Sequence, residues 1–336
     1  MIPRVPIFGL EWHVRQSPAQ RLLVADPLAP YVRCEPIAWD GETLPALTAA
    51  QRRTPIRVFF QLPPPAGLAA DPALRVVWIP MWDEARGYEP EWWRHLPKSL
   101  RVVAFSKEVS RRAKAAGLET LDLQYFPPDE FPPADWTGER VLFYWNRIGL
   151  VGGDFLSGFC RALAVDRLIY FRTAQDRVPA ALDFSPGDRI GGTRVEIHTA
   201  GGLLPRRKYS DLAGRANIFL APRTSEGVGL TFLEALGRGC AVFAYDAPTM
   251  NEYIVHGKNG FLLRRCGRGV WSRAAGAAQR RLGVPAPHPV SARQDWSALR
   301  TLDLKRLGED ARRSHRLGLQ EWTHAVPRYA RFLLGG

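Results

Sequence analysis

The sequence predicts an α/β protein built from two parallel-sheet domains. Three observations carry that reading. Short apolar runs alternate with helical spacings along most of the chain, the pattern of a parallel sheet with crossover helices. A proline-rich stretch near the middle, residues 126–138 (FPPDEFPPADWTG), breaks both periods and reads as an interdomain linker. The length of 336 residues and the 46% hydrophobic content leave room for more than one core.

Taken in order, the candidate strands of the first unit are Val5 to Gly9, Val32 to Ala38, Ile56 to Gln61, Val76 to Pro80, Arg101 to Phe105 and Thr120 to Tyr125. Ser106 to Gly117 reads as a helix with a serine N-cap and a glycine stop. The second unit opens with the run from Glu139 to Arg147. Further strands follow at Leu168 to Ala174, at the segment from Val195, at Ala216 to Pro222 and at Ala241 to Tyr245. The tail from Leu302 to Leu334 is charged and helical, and Pro327 is expected to kink or interrupt it. Domain boundaries follow at residues 1–130, 139–300 and 301–336.

Composition narrows the class. No apolar run is long enough to cross a membrane, and the N-terminus lacks a signal-peptide pattern. Cys34, Cys160, Cys240 and Cys266 show no metal-ligand spacing and read as reduced thiols of a cytoplasmic protein. The formal net charge of +13 favours a polyanionic surface, with Arg264, Arg265, Arg268 and Arg273 as a local cluster. No nucleic-acid-binding motif accompanies the charge. Such a surface suits an anionic bilayer, with peripheral attachment from the cytoplasmic side, or an acidic glycolipid.

The most informative segment is residues 223–240 (RTSEGVGLTFLEALGRGC). Glu226 and Glu234 stand with seven residues between them, and Gly227 and Gly229 follow the first. An apolar strand leads in and an amphipathic helix leads out. The turn thus delivers free backbone amides at a helix N-terminus, which suits a phosphate or pyrophosphate. Carboxylates are poor partners for phosphate but good acceptors for sugar hydroxyls. A nucleotide sugar supplies both kinds of group. On spacing alone, a plain strand–turn–helix unit with two solvated glutamates explains the segment as well.

The downstream segment decides between them. Glu226, Gly227, Gly229, Leu230, Leu233, Glu234, Ala235 and Gly239, followed by Glu252, Ile254, Gly257, Gly260 and Leu262, resemble in order the pattern of the retaining family 4-type glycosyltransferases (glycosyl transferases group 1). That resemblance implies the GT-B fold: two Rossmann-like domains facing across a cleft, with a last helix crossing back to the first domain. Trp322 and Phe332 are the expected anchors of that helix.

The resemblance also implies roles. Glu226 would contact the donor hexose and Glu234 the ribose. The amides from Gly227 through Val228, Gly229 and Leu230 to Thr231 would face the pyrophosphate. Arg147, ending the first strand of the second domain, would bind donor phosphate and act with Glu226 at the catalytic centre. The family's lysine a few residues later is missing, because Gly152 and Gly153 occupy those positions. Arg172, at a strand end on the ligand side, is the expected replacement. Gly201, Gly202 and Leu203 would lie near the base, and Lys208 or Arg207 near the phosphates. A first helical turn in solvent is the simpler account of Arg206, Arg207 and Lys208.

The expected activity is transfer of a hexose-type sugar from a nucleotide-diphosphate sugar to a glycan or lipid-linked acceptor, with retention. No bound cofactor and no metal are expected. Glu11, His13, Gln61, Asp83 and Glu84, after strands of the first domain, are polar candidates for the acceptor side; His13 or Asp83 would be the base of an inverting enzyme. Trp78, Trp82, Trp92 and Trp93 read as core or as a sugar-stacking surface. The alternatives are a nucleotide-sugar 2-epimerase and a non-catalytic sugar- or polyanion-binding protein.

Overall fold

The computed structural model describes residues 2–146, 151–174, 182–202, 204–263 and 296–335. Two sheets organise them. The first contains β1 (Arg4–Gly9), β2 (Arg33–Ala38), β3 (Ile56–Phe60), β4 (Arg75–Ile79), β5 (Arg101–Ala104) and β6 (Glu119–Asp122) in the order β2-β1-β3-β4-β5-β6, all parallel. Every residue of β3 is buried. That is the mark of a strand covered on both faces, and it explains why the strands read as apolar runs without alternation.

The second sheet contains β7 (Val141–Trp145), β8 (Arg167–Thr173), β9 (Arg189–Ile190), β10 (Thr193–Ala200), β11 (Ile218–Ala221), β12 (Ala241–Tyr245) and β13 (Phe261–Leu263). Their order is β13-β12-β11-β7-β8-β10-β9, parallel except for the short β9 against β10. Strand order reverses beside β7, and ligands of open parallel sheets bind at the carboxyl ends of strands near such a point.

The tryptophan run of the first unit is core. Trp78 and Trp93 are fully buried, Trp82 is nearly so, and Trp78 packs against Tyr88, Trp92 and Trp93. None of these rings reaches the cleft between the sheets.

Three features fasten the two units together. The proline-rich linker runs along the second unit: Ala134 N donates to the Arg238 carbonyl at 2.7 Å and the Trp136 indole to that of Gly239 at 3.2 Å. Glu252 caps a helix of the first unit, Lys107–Ala115. Its carboxylate accepts from Ser106 Oγ at 3.0 Å and from the Lys107 amide at 2.8 Å. A carboxylate at a helix N-terminus meets free amides and the positive end of the dipole.

The third fastening is one helix of 31 residues, Leu304–Leu334. Of the two outcomes expected at Pro327, an interruption does not occur, since the helix continues through it. Burial on both sides of the proline explains this. Trp322 packs on Phe105 and Tyr125 of the first unit, and Tyr329, Ala330 and Leu333 are buried beyond it. Arg75 donates to the Phe332 carbonyl at 2.9 Å. Packing of this face outweighs one lost backbone hydrogen bond. At the other end, Gly308 lies against Gly239, where a side chain on Gly308 would meet the Gly239 carbonyl at 2.1 Å.

His315, in the middle of this helix, is fully buried against Phe126 and Gly237. Burial lowers its pKa to about 4, with Asp129 opposing. In the unfolded chain the same ring titrates near 6.5. Between those values the unfolded state binds more protons, so stability must fall as pH drops from 6.5 toward 4. The loss across that window is roughly 3 kcal/mol. Urea titrations at pH 7 and pH 5 should show roughly 2 kcal/mol of this loss in the wild type and a flatter profile in His315→Gln. Equal pH dependence in the two proteins would remove His315 as its source.

Among the described residues, no helix is long and apolar enough to cross a membrane. Cys34, Cys160 and Cys240 are free thiols. Cys266 and the arginines at 264, 265, 268 and 273 lie outside the described residues.

Candidate functional site

The cleft between the two sheets has a volume of about 1100 Å³. Its floor on the second-unit side is the turn that follows β11. Gly229 adopts a left-handed conformation (φ 81°, ψ 49°) and immediately precedes the helix Leu230–Arg238. A β-carbon there would fall 2.0 Å from the Phe232 ring, so only glycine fits. No side chain caps this helix N-terminus. Gly227, Val228, Gly229, Leu230 and Thr231 all line the cleft. The turn therefore offers backbone donors, reinforced by the helix dipole, to whatever occupies it.

Both carboxylates line the cleft as well. Glu226 is 12% exposed and pairs with Arg223 at 3.2 Å. Glu234 is more deeply set, with its side chain 7% exposed, and takes Arg206 Nη1 at 2.8 Å. Burial raises the Glu234 pKa, while Arg206 and Arg238 oppose that shift. Arg238 is itself buried and anchored on Ser210, so Glu234 sits between one fixed guanidinium and one on the cleft wall. The ring of Phe131, from the linker, lies under both arginines.

Arg206 and Arg223 are the cations that the tertiary structure brings to the turn. Neither stood out in the sequence as a phosphate ligand, because Arg206 opens a helix whose next two residues, Arg207 and Lys208, are exposed. Lys208 and Gly202 do not line the cleft. Arg172 does not line it either; its Nη1 holds Asp183 at 2.8 Å. Arg147 and Leu203 lie outside the described residues. Trp145, Phe171 and Tyr209 form an aromatic wall beside Arg206 that the sequence pattern did not single out. Among the described residues no group of three or more His, Cys, Asp or Glu side chains is placed to hold a metal ion.

Residues 194–268 match the family model described as glycosyl transferases group 1. The segment is similar to those transferases. It covers nearly all of β10, then β11, the glycine turn and β12, and so contains the glycine-turn floor of the cleft.

Across the full chain, the structure is similar to a sucrose-phosphate synthase from Thermosynechococcus elongatus, with a TM-score of 0.61 at 13% identity over 99% of both chains. It is also similar to HepE of Anabaena, solved in complex with UDP and glucose, with a TM-score of 0.58 at 12% identity over 99% of both chains. The chain has the GT-B fold. In sequence, the chain is similar to the GtfA subunit of a UDP-N-acetylglucosamine–peptide N-acetylglucosaminyltransferase from Streptococcus pneumoniae, 38% identical over 57 residues. That match covers 17% of this chain and 11% of the streptococcal protein.

Proposed function

We propose that the protein transfers a hexose-type sugar, with retention, from a nucleotide-diphosphate sugar to a glycan or lipid-linked acceptor. One observation carries the reading. The uncapped N-terminus of the helix Leu230–Arg238 opens into the cleft with the partly exposed Glu226 on one side and the buried Glu234 on the other, inside the segment that matches group 1 glycosyl transferases. In this reading the turn amides and the cleft arginines hold the pyrophosphate. Glu226 takes hydroxyls of the transferred sugar and Glu234 those of the ribose. Charge growing on the departing nucleotide is then met by fixed donors in a partly dry site, which is where such donors are most effective. The resemblance to group 1 glycosyl transferases adds Arg147 to this set. The aromatic wall of Trp145, Phe171 and Tyr209 suits the flat face of a nucleobase.

The solved relative with UDP and glucose makes UDP-sugars the first donors to try. Purified protein should bind at least one member of a UDP-, GDP- and dTDP-sugar panel and release its nucleotide faster when acceptor glycans are added. Binding without acceptor dependence, with a rearranged sugar as product, would favour a 2-epimerase instead. No binding across the panel would leave a non-catalytic protein of the same fold. The charge of +13 supports peripheral attachment to an anionic bilayer, which sedimentation with anionic but not neutral vesicles at low salt would report.

A further inference from the structure

Arg206 occupies a place that its own helix disfavours. It is the first residue of the helix Arg206–Ala213, and Pro205 before it provides no side-chain cap. The N-terminus of a helix carries positive partial charge, so a guanidinium there is repelled rather than held. The exposed Arg207 and Lys208 that follow add like charge. Yet Arg206 turns inward, with its side chain 34% exposed, and lines the cleft. Two groups from elsewhere keep it there. Glu234 accepts from its Nη1 at 2.8 Å, and the ring of Phe131 lies beneath it, 5.8 Å from the guanidinium carbon.

The ring is the fixed member of this set. Phe131 is buried in the linker, and Pro127, Pro128, Pro132 and Pro133 restrict the backbone on either side of it. The linker is pinned around the ring. Asp129 accepts from Arg316 Nε of the last helix at 2.8 Å, the Ala134 amide donates to the Arg238 carbonyl at 2.7 Å, and the Asp135 carbonyl accepts from Asn217 Nδ2 at 2.7 Å. The Arg238 guanidinium rests on the same ring at 4.7 Å. It is itself clamped on Ser210, through the carbonyl at 3.0 Å and Oγ at 2.6 Å. One ring thus carries two guanidinium groups, one locked in the interior and one at the cleft wall.

A bound nucleotide would disturb the Arg206–Glu234 pair from both sides. Ribose hydroxyls compete with Arg206 for the carboxylate, and phosphate oxygens compete with Glu234 for the guanidinium. A guanidinium released from Glu234 would leave for solvent, because its helix end repels it. An aromatic face holds the cation without using its N–H groups, which stay free for phosphate. Phe131 does not line the cleft, so any effect it has on a ligand passes through Arg206.

We propose that Phe131 is a positioning residue for the donor, whose ring keeps Arg206 at the cleft when a bound nucleotide breaks into the Arg206–Glu234 pair. This inference rests on the nucleotide-sugar reading and deepens it, since it makes the linker between the two units part of the grip on the donor.

A double-mutant cycle tests it. Affinity is measured by calorimetry for the UDP-, GDP- or dTDP-sugar that the wild type binds best. The proteins are the wild type, Phe131→Leu, Phe131→Tyr, Arg206→Gln and the variant carrying both Phe131→Leu and Arg206→Gln. Phe131→Leu should weaken binding about five-fold or more, the size of one lost cation–π contact at a partly buried site. Phe131→Tyr keeps the ring face and should stay within about two-fold. With Arg206→Gln already present, Phe131→Leu should change affinity by less than about two-fold, because its partner is gone. A linker that serves only the fold would lose as much in either background, and that result overturns the role. Unchanged affinity in Phe131→Leu overturns it as well, and so does a loss in Phe131→Tyr equal to that in Phe131→Leu. If urea titration shows Phe131→Leu unfolded, Phe131→Met, which also removes the aromatic face and keeps apolar bulk, takes its place in the cycle. A wild type that binds no nucleotide sugar overturns the proposed function and this role together, whereas wild-type binding that is indifferent to Phe131 overturns the role alone.

Discussion

Replacing Glu226 by glutamine is expected to cut sugar transfer by roughly 100-fold or more while leaving affinity for the free nucleotide nearly unchanged. Hydrogen bonds to a charged group are worth about 1.5–3 kcal/mol each, and each 1.36 kcal/mol of transition-state stabilisation is about ten-fold in rate. Glu226 is 12% exposed and lines the cleft, so a sugar hydroxyl reaching it would be held in a partly desolvated place. The substitution keeps the shape and removes the charge. It also frees Arg223, which pairs with Glu226 at 3.2 Å, and that guanidinium then remains available to the phosphates. The nucleotide alone never meets Glu226 in this reading, so its affinity is the control. Full turnover in Glu226→Gln would sink the assignment, and so would a drop in nucleotide affinity equal to the drop in rate.

Gly229→Ala should be the most damaging small change in the turn. The left-handed backbone at Gly229 costs an alanine about 1–2 kcal/mol. Its methyl would also overlap the Phe232 ring, which is buried and cannot swing into solvent. Overpacking of that kind adds about 1–3 kcal/mol. The combined loss, about 2–5 kcal/mol in urea unfolding, should come with a collapse of donor binding because the amides lose their alignment. Gly257→Ala is the matched control. Gly257 has a similar positive φ of 75°, but a β-carbon there meets nothing within 4 Å. It should show the backbone part alone, about 1–2 kcal/mol, with donor binding intact. Equal stability for the two variants would mean that the Phe232 contact relaxes freely.

The glycine-turn floor of the cleft was legible because its parts are local. Glu226, the two glycines and Glu234 lie within one strand–turn–helix unit, and helix geometry fixes their spacing once the elements form. The first-unit wall of the cleft was only partly legible. Gln61 and Asp83 follow successive strands, which placed them at one sheet edge, yet nothing in the sequence marks Gln61 as left-handed. The tryptophans at 78 to 93 pack in the core, one of the two readings their sequence allowed.

Charges were the hardest to read. Arg172 sits at the end of β8 as expected, but Asp183 takes its guanidinium. Arg206 looked like one of three solvated cations, whereas a carboxylate 28 residues further along draws it to the cleft. Glu252 fits a sequence pattern whose consequence appears only across 145 residues, where it caps a helix of the other unit. A long charged side chain reaches whatever partner the fold brings near, and hydrophobic spacing carries no information about that partner.

The sequence by itself determined the two parallel sheets, the linker and the glycine turn with its pair of glutamates. Each of these follows from backbone preferences and burial periodicity over a few neighbouring residues. Only the tertiary structure decided which cations face the turn, that the last helix runs through Pro327, and that His13, Gln61 and Asp83 meet opposite Gly227. Those outcomes depend on contacts between distant segments, where the packing of whole faces outweighs the local preference of any single residue.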